Sequence, residues 1–89
     1  MEASLVEMKP GQTGVISRIQ GGSNLVLKLN QLGLREGKQI KKISSVFNRG
    51  PVTINVDNYQ VAVGYGKAVR IMVEVEGEVE GIEKNSPGR

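Results

Sequence analysis

Glycine-rich stretches are the first residues to test for chemistry, because a glycine loop beside a lysine can cradle phosphate. Gly64-Tyr65-Gly66-Lys67-Ala68 places glycine and lysine as the end of such a loop would, but no Ser/Thr follows the lysine, and Val61 stands where the first glycine belongs. Pro10-Gly11-Gln12-Thr13-Gly14 opens a strand-like run, whereas a phosphate loop must lead into a helix N-terminus. Residues 29–42, LNQLGLREGKQIKK, run in that wrong order too: an amphipathic stretch, then Gly33, then a basic strand-like run. The sequence has no histidine and no cysteine. Nucleophile–base pairs therefore lack their usual base, and iron, zinc or copper lacks the imidazole and thiolate ligands that hold it tightly. The acids of residues 1–75 are Glu2, Glu7, Glu36, Asp57 and Glu74, which read as solvated surface groups offering at most weak divalent binding. The expectation is a protein that is not an enzyme, with no catalytic, cofactor-binding or metal residues and no cofactor.

Basic residues give a second possibility. Lys28, Arg35, Lys38, Lys41, Lys42 and Arg49 supply positive charge, and small loop-and-strand barrels bind RNA with such faces. The stacking platforms are missing, since Phe47, Tyr59 and Tyr65 are the only aromatics and do not interleave with the bases. A solvated basic face is the better account, and an RNA-binding barrel is the alternative function.

The elements that must carry these residues are short. The 89 residues suit one core, and a hydrophobic share of 38% with a charged share of 24% is a globular balance. No apolar run reaches the ~20 residues of a membrane span, and the first residues lack the pattern of an export signal. With no cysteine, this points to a cytoplasmic protein. Residues 1–75 hold ten Lys/Arg against five Asp/Glu, a balance of +5, whereas residues 76–89 hold four acids and two bases. The reading is one folded domain over 1–75 and a flexible C-terminal tail over 76–89.

Alternation of period two marks strands at GVISRI, at VTINVD, around Val61 and Val63, and from Ile71 to Val75. A further β-branched run covers residues 39–46, with Ile40 and Ile43 as its inward residues. Asp57-Asn58 is a two-residue hairpin turn. Five or six short strands in this length predict a mainly β protein, a small antiparallel barrel. The exception is residues 24–32, where Leu25, Leu29 and Leu32 share a helical face, Asn24 can cap the start, and Gly33 can stop the helix with Leu34 folding back. A strand pairing Leu25, Leu27 and Leu29 is the rival reading. A short helical turn over 66–70 precedes the last strand.

The order Leu5…Pro10-Gly11-Gln12…Gly14-Val15, Leu29…Leu32-Gly33-Leu34…Gly37…Ile40, Gly50-Pro51-Val52 and Val61-Ala62-Val63-Gly64…Ala68…Ile71…Val73 resembles the FeoA family across residues 5–75. The resemblance implies an SH3-like barrel with a helix inserted between early strands. It also implies a small cytosolic accessory of ferrous iron transport, acting by protein–protein docking. The implied partner is the cytosolic GTPase domain of a FeoB-type membrane transporter, with no insertion into the membrane and room for weak self-association. Lys42 stands at a position more often β-branched in that family. The docking candidates are the helix, the turn at 35–38 and the loop at 47–50, with Lys28, Arg35, Lys38, Phe47 and Arg49 as contact residues. Gly33, Gly37, Gly50 and Gly64 are assigned to backbone geometry.

Overall fold

The computed structural model describes residues 1–45 and 49–76. Six strands form one antiparallel sheet: β1 (Glu2–Ser4), β2 (Thr13–Ile19), β3 (Gln39–Ser45), β4 (Val52–Val56), β5 (Tyr59–Val63) and β6 (Ile71–Val75). Helix α1 (Ser23–Gln31) is inserted between β2 and β3, and the single turn α2 (Tyr65–Ala68) precedes β6. The strand order β1-β6-β2-β3-β4-β5 closes the first and last strands of the chain against each other, and the sheet curls into an SH3-like barrel.

The core follows from the alternation. Val52, Ile54 and Val56 of β4, Ile71, Val73 and Val75 of β6, and Ile40 of β3 point inward and are buried together with Leu5, Leu29 and Leu34. Gly14 on β2 permits that closure. A Cβ there would lie 2.5 Å from Val73 Cγ1 and 2.6 Å from Glu74 O, inside any real contact. The two-residue turn joining β4 to β5 is as expected, with Val56 opposite Tyr59 and Asp57 in the left-handed region at φ 56°.

The stop of α1 is a Schellman cap. Leu34 N–H donates to Leu29 O at 2.9 Å, Gly33 N–H donates to Asn30 O at 2.9 Å, and Gly33 has φ 89°. Leu29 and Leu34, which the cap brings together, are both fully buried. The start of the helix differs from the expectation. Val26 N–H already reaches Gly22 O at 3.1 Å, so Gly22 is the N-cap and Asn24 lies within the first turn with no capping bond. Leu32, expected on the inward face, is the C-cap residue and is 42% exposed.

Strand β3 carries the larger correction. A bulge between Lys42 and Ser44 shifts its register on β4, and Lys42 rather than Ile43 is the second inward residue. Lys42 is 1% exposed, while Ile43 is only half-buried. The strand β1 had no periodic signal, being three residues long. Of the glycines assigned to backbone geometry, Gly33 and Gly37 have positive φ, but Gly50 and Gly64 are not among those that do. Gly64 sits at φ −60° with open space where a Cβ would go, so neither its conformation nor crowding requires glycine. The expected tail from residue 77 onward lies outside the described residues.

Candidate docking surface

Two groups of candidate residues end up at opposite ends of β3. Lys38 precedes the strand, and Arg49 follows it in the connection to β4. Seven residues at about 3.3 Å each put roughly 20 Å between those ends. Phe47 lies outside the described residues.

The first group gathers around the C-terminal end of α1. Lys28 is exposed in its last turn, one helical turn before Leu32 and on the same side. Arg35 and Lys38 bracket the turn that follows, where Lys38 N–H donates to Arg35 O at 3.0 Å. Arg35 is exposed, whereas Lys38 Nζ pairs with Asp57 Oδ1 at 3.0 Å. The missing member of this group is Tyr59, which sequence reasoning treated only as a sparse aromatic. Its hydroxyl donates to Leu32 O at 2.7 Å, satisfying a carbonyl that the helix end leaves without a partner. A side chain at residue 33 would collide with that hydroxyl. No local signal links residues 32 and 59, since β3 and β4 lie between them in sequence.

The second group is smaller. Arg49 adopts φ 64°, and its guanidinium lies 5.9 Å from the centre of the Tyr65 ring, within the range of a cation–π contact.

On the outer side of α1, Gly21, Ser23, Asn24, Val26, Leu27 and Asn30 line a shallow groove of about 550 Å³. Leu27 is 57% exposed there. Asn30 Oδ1 is buried with no hydrogen-bond partner among the described residues. A buried acceptor left alone costs about 1–3 kcal/mol, so this oxygen weakens the helix locally.

Lys42 does not belong to any surface. Its Nζ donates to three backbone carbonyls of the segment after β1: Leu5 O at 3.1 Å, Val6 O at 3.1 Å and Met8 O at 2.6 Å. Burial pulls its pKa below the ordinary lysine value by penalising the charged form. The basic face expected for nucleic acid therefore loses one of its six cations to the core. Glu2, at the edge of the sheet, is held below the usual carboxylate range chiefly by the hydroxyl of Ser17, which donates to its Oε2 at 2.7 Å, with Arg18 adding an ion pair at 3.2 Å.

Among the described residues there is no group of three or more His, Cys, Asp or Glu placed to hold a metal ion. No helix among them is long and apolar enough to cross a membrane.

A family model described as "FeoA domain" matches residues 3–75. The "Putative Fe(2+) transport protein A" of Methanocaldococcus jannaschii is 32% identical over 66 residues, covering 74% of this chain and 78% of that protein. A crystal structure described as an iron uptake regulatory protein (FeoA) superposes with a TM-score of 0.77 at 39% identity, over 84% of this chain and 97% of the other. A manganese-dependent transcriptional repressor shares the fold alone, with a TM-score of 0.74 at 19% identity over 81% of this chain and 40% of its own.

Proposed function

The chain belongs to the FeoA family, with its role in ferrous iron transport, and from that premise we propose that it is a cytoplasmic, non-catalytic accessory that docks on the GTPase domain of a FeoB-type transporter. The observation that carries the docking is the outer face of α1. Exposed Leu27 lies in an apolar groove, and Lys28, Arg35 and Lys38 stand around the end of the same helix. An apolar anchor in a pocket sets residence time, while rim charges set association rate and salt sensitivity. The positive balance of residues 1–75 suits an acidic partner.

The interface expected of such a transient accessory is below about 1,200 Å² and of micromolar affinity. The test measures binding of the full chain to the soluble domain of its cognate transporter, with Leu27→Asp, Arg35→Glu and Phe47→Ala compared after folding is checked. Loss of binding in folded Leu27→Asp, and weaker salt-sensitive binding in Arg35→Glu, are the expected results. If both bind as wild type does, the docking face is not α1. Phe47→Ala separates the loop at 47–50 from the helix as the source of the anchor.

A further inference from the structure

On the outer face of the sheet, across β2, β3 and β4, lies a second concavity of about 400 Å³. Thr13 of β2, Lys41 of β3 and Asn55 of β4 form one cross-strand row in it, and Lys38, Gln39 and Asp57 line it beside them. Lys38 is already held by Asp57. Thr13 Oγ1 and Gln39 Nε2 each donate, at 3.3 Å, to one oxygen of the Glu76 carboxylate. Glu76 is fixed there by its own N–H, which reaches Thr13 O at 2.9 Å. The next members of the row, Lys41 and Asn55, have no side-chain partner among the described residues.

This face thus already receives one carboxylate through a hydroxyl and an amide, and a cation and a second amide stand next to it unengaged. An ammonium beside a carboxamide is the complement of a carboxylate, to which both donate. We propose that the concavity is a carboxylate-binding site, in which Lys41 and Asn55 receive a Glu or Asp side chain from an extended acidic segment of a partner protein. Glu76 is the resident example of that recognition. With the Glu76 carboxylate spent on Thr13 and Gln39, and residues 1–75 carrying a balance of +5, the acid for Lys41 and Asn55 is assigned to a partner of opposite charge. The site stands apart from the groove on α1, and its test needs no transporter.

The test uses the full isotope-labelled chain and the blocked peptide Gly-Glu-Val-Glu-Gly, with Gly-Gln-Val-Gln-Gly as the neutral probe. Saturable shifts of the Thr13, Lys41 and Asn55 amides with the acidic peptide alone are expected. Lys41→Gln should weaken binding by at least about tenfold, the loss of one charge-assisted hydrogen bond, while Lys67→Gln on α2 leaves it unchanged. The proposal is overturned if the shifts spread equally over Lys9, Lys28 and Lys67, or if folded Lys41→Gln binds as wild type does. Binding that appears only in the chain carrying Glu78→Gln and Glu80→Gln would overturn the partner assignment and give the site to this chain's own acids.

Discussion

Lys41 and Lys42 are adjacent in sequence and opposite in circumstance. The pleat of β3 sends Lys41 to the outer face, where it is exposed and without a side-chain partner among the described residues, and sends Lys42 into the barrel, where its ammonium meets three carbonyls. The inner one is costly to desolvate and is tolerated because Leu5 O, Val6 O and Met8 O are themselves polar groups with little water to turn to. Cation and carbonyls each solve the other's problem. The pair of lysines shows that positive charge counted along a chain measures neither surface potential nor stability until each side chain has been assigned a face.

Removing the inner amine is the sharpest way to break the comparison. Lys42→Ala leaves three carbonyls without their donor and a cavity beside them, a loss of at least about 3 kcal/mol by chemical denaturation. Lys42→Met keeps most of the volume and should fall between alanine and wild type. Titration sharpens the same point. The native pKa of Lys42 lies below its ordinary value of about 10.4, so between those two pH values the unfolded chain binds more protons and this residue raises stability as pH rises. The difference in denaturant midpoint between wild type and Lys42→Met should therefore widen as pH rises through that window.

A smaller effect is expected where a carbonyl is held by a neutral donor. Gly33→Val forces a β-branched residue into the left-handed region and against the Tyr59 hydroxyl, and should lose about 2 kcal/mol, read as a lowered melting temperature. Tyr59→Phe removes only the hydroxyl, leaves Leu32 O to water, and should lose less than about 1 kcal/mol. Lys41→Gln is the smallest, within about 0.5 kcal/mol of wild type, because an exposed lysine with no side-chain partner among the described residues has little to lose. A Lys41→Gln loss matching that of Lys42→Ala would dissolve the contrast.

The legible parts of the fold were those written in neighbouring residues. Gly33 and the buried pair it brings together, Leu29 and Leu34, lie within one short stretch of sequence, and Asp57-Asn58 separates two alternating runs. The helix start was displaced because Ser23 and Asn24 both look like caps, while the carbonyl that opens the ladder belongs to Gly22. Lys42 escaped because Ile43 beside it is the apolar choice, although the pleat that turns Ile40 inward also turns Lys42 inward, and the bulge comes only after it. The end of α1 was read without Tyr59 because its hydroxyl arrives from another hairpin. Charge and loop position, which mark the docking candidates in the sequence, carry no information about the length of β3 between Lys38 and Arg49.

The carbonyl clamp of Lys42 also sets how the N-terminal segment breathes. A three-residue strand at the sheet edge would ordinarily open by fraying, on its own and at little free energy. Here Lys42 Nζ holds residues 5, 6 and 8, while its backbone N–H and carbonyl bond Gln12 O and Gly11 N–H at 2.9 and 2.8 Å. One residue of β3 thereby ties the connection between β1 and β2 at five points. The amides of Leu5 and Met8 should then exchange with deuterium as slowly as those of β6, and in Lys42→Met they should exchange early, before the rest of the barrel.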